Sequence, residues 1–279
     1  MRYHQQTVSL LTMHGKERVI APVLEAGLGC TVAHIDRFDT DTLGSFSRET
    51  MRLASAWQTC RRKAEIGMQL GQTALGLASE GSFSADPWSG LLPWNVETLV
   101  FIDATHGWDI TGVAQGPAHN HQASVQSWSE LAGFAQQHGF PSHQLCLRPN
   151  GVHDARVLKG IASWDDLQQS FALCLAQSNG PQVYVESELR AFGNPTRMAM
   201  IARAAQDLVE KIRHDCPACH KPGYQVASHQ SGLPCAACGL PTRMATHVVW
   251  RCAHCSHSQS EKLATSTHAD PSRCDRCNP

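Results

Sequence analysis

Eight of the twelve cysteines in this 279-residue chain form four Cys-x-x-Cys pairs in its last quarter. Two thiolates at this spacing can close a tight turn around one metal ion, and four sulfurs complete a tetrahedral zinc shell. The sequence therefore predicts two structural zinc ions. Their predicted ligands are Cys216, Cys219, Cys235, Cys238, Cys252, Cys255, Cys274 and Cys277.

The spacing of the four pairs favours two zinc ribbons in tandem. Fifteen residues separate Cys219 from Cys235, and 18 separate Cys255 from Cys274. Both gaps are typical of zinc ribbons, so the first two pairs would share one ion and the last two pairs the other. The alternative is a cross-braced module, in which the first and third pairs share an ion.

The first part of the chain carries residues that could bind and hydrolyse a phosphorylated ligand. Lys16 lies at the start of a predicted helix, where backbone N–H groups and the helix dipole attract phosphate. Glu49, Glu80 and Asp86 are candidate ligands of Mg²⁺, which prefers carboxylate oxygens and water. A hydrolase that uses a metal-bound water needs this combination of groups.

A second set of charged residues surrounds a predicted strand-to-helix connection at residues 185–197. Asn194 is a favourable helix cap and Pro195 a favourable first helical residue. Two interpretations remain open, a ligand pocket or an internal network of ion pairs and caps. The residues concerned are Arg148, Lys159, Glu186, Glu188, Arg190, Asn194 and Arg197.

Other potentially reactive residues are interpreted as structural. His119 and His121 could present two imidazoles on one face, but the sequence supplies no third ligand nearby, which favours a polar loop. The chain contains no Gly-x-Ser-x-Gly, P-loop or Gly-x-Gly-x-x-Gly motif, so the enzyme classes that depend on them are disfavoured. The four unpaired cysteines are predicted to be buried core residues: Cys30, Cys60, Cys146 and Cys174.

Hydrophobic periodicity predicts a body of alternating strands and helices, hence an α/β or α+β fold with a mixed sheet. The body would span residues 1–214, with 1–118 and 119–214 as candidate subdomains, and a tandem zinc-ribbon module would span 215–279. Predicted strands cover 7–13, 31–36, 74–79, 97–103, 108–115, 144–148 and 182–186. Predicted helices cover 16–26, 51–70, 127–137, 163–177 and 195–214.

The composition limits the classes of protein to which this chain can belong. Hydrophobic residues make up 42% of the chain and charged residues 17%, with no apolar run long enough to cross a bilayer. The N-terminal residues lack the features of a signal peptide, so a cytoplasmic location and no membrane partner are expected. Residues 211–279 carry eight lysines and arginines against four acids. This excess permits nucleic-acid contact but is not a strong basic patch.

Several segments of the first 110 residues resemble the inosine/xanthosine triphosphate pyrophosphatase family. The matching segments are 12–16 (Thr-Met-His-Gly-Lys), Glu49-Thr50, 62–64 (Arg-Lys-Ala) and 78–82 (Ala-Ser-Glu-Gly-Ser). Met13 stands where that family has asparagine, so His14 is the candidate replacement for the polar contact to the nucleotide. The resemblance implies a Mg²⁺-dependent nucleotide pyrophosphatase.

Over nearly its full length the chain resembles an uncharacterised bacterial family known only as a domain of unknown function. The shared segments are 14–17 (His-Gly-Lys-Glu), 78–83 (Ala-Ser-Glu-Gly-Ser-Phe), 186–198 and the cysteine-rich end. This resemblance implies no activity.

Two functions of different classes follow from these residues. The leading hypothesis is a metal-dependent hydrolase acting on a nucleotide or a related phosphorylated small molecule. The alternative is a non-enzymatic zinc-ribbon protein that binds nucleic acid or a protein partner. The hydrolase hypothesis requires turnover that depends on Glu80, whereas the alternative requires steeply salt-dependent binding if the partner is nucleic acid.

Overall fold

The computed structural model describes residues 2–43, 55–263 and 266–279. The chain divides into two compact units, Met1–Val209 and Glu210–Pro279. The sequence places this boundary at residue 214. The structure places it earlier because the Gly223 and Tyr224 N–H groups donate to the carbonyls of Lys211 and His214, at 2.8 and 3.1 Å.

The first unit alternates strands and helices along the chain. Its helices are α1 (Glu17–Leu28), α2 (Ala56–Gly71), α3 (Trp128–Gln137), α4 (Trp164–Gln177) and α5 (Pro195–Arg213), the last of which runs past the division. Its strands are β1 (Thr7–Leu11), β2 (Thr31–Ile35), β3 (Leu75–Ala85), β4 (Pro93–Asp103), β5 (Trp108–Pro117), β6 (Gln122–Val125), β7 (Leu145–Arg148), β8 (Leu158–Ile161) and β9 (Val183–Ser187). The predicted mixed α/β fold is confirmed.

A five-stranded mixed sheet, in the order β2-β1-β3-β4-β5, positions the candidate catalytic residues. Strands β2, β1 and β3 run parallel, whereas β3, β4 and β5 are antiparallel. Strand β1 ends at Leu11, opposite Ala78 of β3. Strand β3 continues to Ala85, so its edge beyond Ala78 has no strand partner on the β1 side within the described residues.

Strand β3 is longer than the predicted strand at 74–79. Eleven successive pairs with β4, from Leu75 opposite Asp103 to Ala85 opposite Pro93, keep it extended. Glu80 therefore lies in the middle of a strand and not at its end.

A four-stranded antiparallel sheet, in the order β6-β9-β7-β8, completes the first unit. Strands β6 and β8 are four-residue segments that the sequence analysis did not predict. Their pairing with β9 and β7 decides their conformation, and short edge strands carry little periodic signal of their own. Helices α3 and α4 cover an apolar core that includes Leu131, Leu145 and Leu167.

Side-chain caps define where the helices begin. Ser55, Ser127 and Ser163 each accept a hydrogen bond from the backbone N–H three residues later, at the starts of α2, α3 and α4. Asn194 does the same for α5 by accepting from the Arg197 N–H at 3.0 Å. These caps satisfy N–H groups that a helix leaves without partners.

The second unit contains an antiparallel sheet of β10 (Tyr224–Ser231), β11 (Ala245–Cys252) and β12 (Ser258–Lys262). The remaining described chain of this unit forms short turns around the cysteine pairs, in addition to a short 3₁₀ helix, Pro271–Arg273. In the described parts of the chain, no helix is both long enough and apolar enough to cross a membrane.

Candidate functional site

Two buried ion pairs occupy opposite faces of the hairpin formed by β3 and β4. Glu80 accepts a hydrogen bond of 2.6 Å from the Lys63 ammonium of α2. Glu97 accepts one of 2.7 Å from the Arg197 guanidinium of α5. Glu97 lies opposite Gly81, and neighbouring residues of a strand point to opposite faces. The hairpin thus separates the two pairs, and all four side chains are buried.

Gly81 is required by the packing of the Glu97–Arg197 pair. A Cβ atom at this position would lie 2.4 Å from Oε1 of Glu97 and 2.6 Å from Nη2 of Arg197. Both distances are shorter than any real Cβ contact, and both side chains are held in place by their mutual hydrogen bond. The pattern Glu80-Gly81 therefore reflects this close approach.

We expect Gly81→Ala to destabilise the first unit by about 1–3 kcal/mol, the usual cost of overpacking a buried site. Denaturant unfolding monitored by circular dichroism measures this cost. The matched control is Gly133→Ala in α3, where an added Cβ meets no atom within 4 Å. The control should be neutral or slightly stabilising, and equal losses in both variants would contradict the assignment.

Lys16 lies between β1 and α1, at the carboxyl end of β1, and is buried. Its ammonium donates to the carbonyl of Ser79 on the unpaired edge of β3, at 3.4 Å. Within the described residues it forms no ion pair of its own. Burial lowers the pKa of Lys16 to about 8, and the positive charge of Arg197 adds to this effect.

On the Arg197 face, two buried polar atoms have no hydrogen-bond partner among the described residues. They are Oγ of Ser79 and Oδ1 of Asn95. Ser79 lies opposite Leu99, and Asn95 lies opposite Phe83, which places both side chains on the same face as Glu97. An unsatisfied buried polar atom is costly. The Ser79 hydroxyl could donate a hydrogen bond to a ligand or accept one, and Oδ1 of Asn95 could accept one.

Asp86 is not brought to Glu80. The Asp86 carboxylate accepts hydrogen bonds from the backbone N–H groups of four residues and from the Ser89 hydroxyl, which organise the turn after β3. The hydrogen bond from the Ser89 hydroxyl is the main cause that holds the pKa of Asp86 below its usual range. Asp86 lies six positions after Glu80 along extended chain, a distance on the order of 20 Å. Glu49 lies outside the described residues.

The charged residues predicted around the connection at 185–197 lie in two separate places in the structure. Arg148 pairs with Glu186 at 2.9 Å, and Arg190 pairs with Glu188 at 2.5 Å. These four residues and Lys159 line one cleft of about 60 Å³, which is far smaller than a typical pocket for a nucleotide-sized ligand. Asn194 instead caps α5, and Arg197 contacts Glu97. These contacts are thus ion pairs within the chain and a helix cap.

Lys63 and Glu97 are the site residues that the sequence analysis did not select. Lys63 occurs within the Arg-Lys-Ala segment that resembles the pyrophosphatases. The apolar positions of its helix predict the helix but give no role to Lys63. Glu97 is a carboxylate in the middle of a strand that is largely buried and apolar. An acid in such a strand is the signal that could have indicated a buried partner.

Two groups of four cysteines lie in the second unit, each with its sulfur atoms within 4.8 Å of one another. In the first group, Sγ of Cys216 is 3.8 Å from Cys255 and Sγ of Cys219 is 3.6 Å from Cys252. The second group has 3.9 Å between Cys235 and Cys277 and 3.7 Å between Cys238 and Cys274. Four sulfurs bound tetrahedrally at 2.3 Å from one zinc ion would lie about 3.8 Å apart, so both groups fit such an ion.

The cysteine pairs are interleaved, and the predicted sequential pairing is wrong. The first and third pairs form one group, and the second and fourth pairs form the other. The antiparallel pairing of β10 with β11 places Tyr224 opposite Cys252 and so brings the third pair to the first. A bridge between Cys235 and Ala269 brings the C-terminal pair to the second. The cross-braced alternative is therefore confirmed.

The unpaired cysteines are buried, as predicted. The Cys60 thiol donates to the carbonyl of Ala78 at 3.1 Å. Burial raises the pKa of Cys60 to about 12 and that of Cys174 to about 11. These thiols are protonated at neutral pH, so they are poor nucleophiles.

A family model for a domain of unknown function, DUF6671, matches residues 63–279. The chain belongs to the DUF6671 family. The DUF6671 match begins within α2 and covers Lys63, Glu80, Glu97, Arg197 and both cysteine groups, whereas Lys16 precedes it. A comparison with curated proteins finds no match. The expected membership of a family of unknown function is thus confirmed, and the resemblance to the pyrophosphatases has no support from either comparison.

Proposed function

We propose that this DUF6671 protein is a metal-dependent hydrolase of a nucleotide or a related phosphorylated small molecule. The site would lie at Lys16, where β1 ends beside the unpaired edge of β3. The observation that carries this proposal is a buried ammonium group without a carboxylate partner in the described structure.

Among the described residues whose charges act on Lys16, positive charges outnumber negative charges by one when Lys16 is included. Within this described set three buried cations face two buried carboxylates, and each carboxylate already pairs with a cation other than Lys16. An unpaired buried charge costs several kcal/mol. A phosphate group beside Lys16 would offset this cost, because it would supply the missing negative charge. The residues of this cluster are Lys16, Lys63, Glu80, Glu97 and Arg197.

The position of Lys16 in the sheet also suits a phosphorylated ligand. Ligands of open α/β sheets bind outside the carboxyl ends of parallel strands, and Lys16 follows the carboxyl end of β1. It stands directly before the 12-residue helix α1, whose first N–H groups favour a negative charge.

Hydrolysis at this site would require water to attack phosphorus while the bond to the bridging oxygen breaks. The Lys16 ammonium would stabilise the negative charge that develops on the phosphoryl oxygens. Among the described residues, no three carboxylates or imidazoles converge to form a cage for Mg²⁺. Glu80, with Glu49 as a second candidate, would share the ion with the phosphates of the substrate, which is the usual way that Mg²⁺ is held.

The two cysteine groups would hold Zn²⁺ in a structural role. Each group already supplies four thiolates, so no coordination position is left for substrate or water. The described residues of the small second unit bury few apolar side chains besides the cysteines. Two zinc ions would contribute the free energy that an apolar core supplies in larger domains.

We expect Lys16→Ala to lower turnover by a factor of about 10²–10³, the cost of removing one charge-stabilising donor. The assay measures phosphate and pyrophosphate released from a panel of canonical and modified nucleoside triphosphates with Mg²⁺. The matched control is Arg18→Ala, because the Arg18 side chain is 80% exposed and lies two residues along. The control should retain wild-type turnover.

The pH dependence of turnover is a second test of the proposed site at Lys16. Because the pKa of Lys16 is lowered to about 8, the ammonium is charged below pH 8 and neutral above it. Turnover should therefore fall as the pH rises through about 8, and this limb should be absent from the residual activity of Lys16→Ala.

Absence of both turnover and phosphate binding across the panel would overturn the proposal. Steeply salt-dependent binding of DNA or RNA, unchanged in Lys16→Ala, would favour the alternative of a non-enzymatic nucleic-acid-binding protein.

A further inference from the structure

Ser79 places a hydroxyl group in an apolar part of β3. Its side chain is buried, and its Oγ atom has no hydrogen-bond partner among the described residues. Leu99 lies opposite Ser79 on β4, and Leu77 is the preceding residue of β3 on the same face. Both leucines are fully buried, and neither side chain can accept or donate a hydrogen bond.

The Ser79 hydroxyl costs free energy that an alanine side chain would not. A buried hydroxyl without a hydrogen bond loses its contacts with water and gains none in return. Alanine would keep the same Cβ atom, and the pairing of β3 with β4 uses backbone groups alone. Residues that break a local rule without a structural gain are expected at functional sites.

Ser79 also borders the buried ammonium group of Lys16. Nζ of Lys16 lies 3.4 Å from the Ser79 carbonyl oxygen. An ammonium group has three donors, so this contact leaves two of them for a ligand. The hydroxyl hydrogen of Ser79 can rotate to suit an acceptor. The two groups could therefore donate to the same anion.

We propose that the Ser79 hydroxyl is a second donor to the anionic group that Lys16 binds. This inference rests on the proposed function, because it takes the ligand to be a phosphoryl group beside Lys16. The ammonium would donate to one phosphoryl oxygen and the hydroxyl to another. Hydrogen bonds to an ionised acceptor are roughly twice as strong as those between neutral groups. Ser79 would thus bind the substrate, and no covalent bond to it would form.

The two donors suit a phosphoryl group in particular. Such a group offers three strong acceptor oxygens, so it could accept from Lys16 and Ser79 and still leave one oxygen for Mg²⁺. The position of Ser79 is set by the ladder between β3 and β4, and sites built on strands are held more precisely than sites on loops.

Ser79→Ala is expected to stabilise the ligand-free protein and to weaken its affinity for phosphate. Because the variant removes an unpartnered hydroxyl, the midpoint of thermal unfolding should rise by about 2–4 °C. The Kd for inorganic phosphate, measured by isothermal titration calorimetry on the full-length protein, should rise about 10–100-fold, the cost of one hydrogen bond to a charged group. A purely structural serine would not produce these opposite changes.

The matched control is Ser9→Ala in β1. Ser9 is also fully buried, but its hydroxyl is hydrogen-bonded to that of Thr73 at 2.8 Å. Its removal should lower the unfolding midpoint and leave the affinity for phosphate unchanged. A midpoint that fell in Ser79→Ala, as it should in Ser9→Ala, would show that the Ser79 hydroxyl stabilises the fold and would overturn the inference.

Lys16→Ala distinguishes the failure of this inference from the failure of the proposed function. Loss of phosphate binding in Lys16→Ala, with wild-type affinity in Ser79→Ala, would overturn the role of Ser79 and leave the site at Lys16 in place. Absence of phosphate binding by the wild type would also overturn the role of Ser79, whereas the turnover assay would then decide the proposed function.

Discussion

Replacing Cys216 and Cys252 together by serine is expected to leave one of the two cysteine-bound metal ions in place. Both residues belong to the first group in the interleaved arrangement, so the second group keeps its four thiolates. Sequential pairing would place one of these two residues in each site, and the same variant would then lose both ions. Metal content of the purified protein, measured by mass spectrometry, separates the two outcomes.

The matched variant replaces Cys216 and Cys235, which belong to different groups. Interleaving predicts the loss of both ions, whereas sequential pairing predicts that one ion remains. The two double variants remove the same number of thiolates, so a difference in metal content reflects only which thiolates share an ion. An ion that remained in the Cys216 and Cys235 variant but not in the Cys216 and Cys252 variant would contradict the interleaved structure.

The loss of both ions is also expected to unfold the second unit. Binding of a structural zinc ion contributes on the order of 10–16 kcal/mol in small zinc domains at neutral pH, which exceeds the stability of most domains. The Trp250 ring stacks on Tyr224 at 5.5 Å, so its fluorescence reports on the sheet of this unit. Chelator-treated protein should show the same spectral change as the Cys216 and Cys235 variant.

Arg197→Met is expected to destabilise the first unit by about 3–5 kcal/mol, because it leaves the Glu97 carboxylate buried without its cation. Glu97 is fully buried and Arg197 is 2% exposed, so water cannot replace the lost partner. Arg197 also donates to the Leu189 carbonyl, which adds a second unsatisfied group. Urea unfolding monitored by circular dichroism measures the change in free energy.

The control for this prediction is Arg62→Met. The Arg62 side chain is 59% exposed and lies 3.5 Å from Glu65 on the surface of α2, and exposed pairs contribute less than about 1 kcal/mol. The double variant Glu97→Gln with Arg197→Met should cost less than the sum of the single variants, since neither charge is then left alone. Additive losses would show that the two side chains do not stabilise each other.

Local patterns in the sequence determined most of the secondary structure. Helix α5 is predicted from a long apolar stripe behind an Asn-Pro start, and Asn194 indeed caps it. The strands predicted at 97–103 and 108–115 are found as parts of β4 and β5. These features depend on residues within a few positions of one another, where propensity, capping and periodicity act directly.

Long-range pairing decided what local patterns could not. Glu80 lies within a strand because β4 pairs with β3 beyond residue 79. Glu97 and Arg197 are one hundred positions apart in the chain, and no periodicity connects them. Asp86 is a plausible metal ligand by residue type, but its lone pairs are used by the turn that it organises.

In the cysteine module, too, the sequence determines some features and the tertiary structure determines others. Four Cys-x-x-Cys pairs determine by themselves that two ions can be bound, because a thiolate pair and its turn form a local unit. Which pairs share an ion depends on the pairing of β10 with β11 and on the bridge at Cys235. The contacts of His119 with His143 and of His121 with His138 are a further example, since these residues meet only in the folded chain. The sequence determined the ligand types and the local turns, whereas the tertiary structure decided their partners, because contacts between distant residues form only when the sheets assemble.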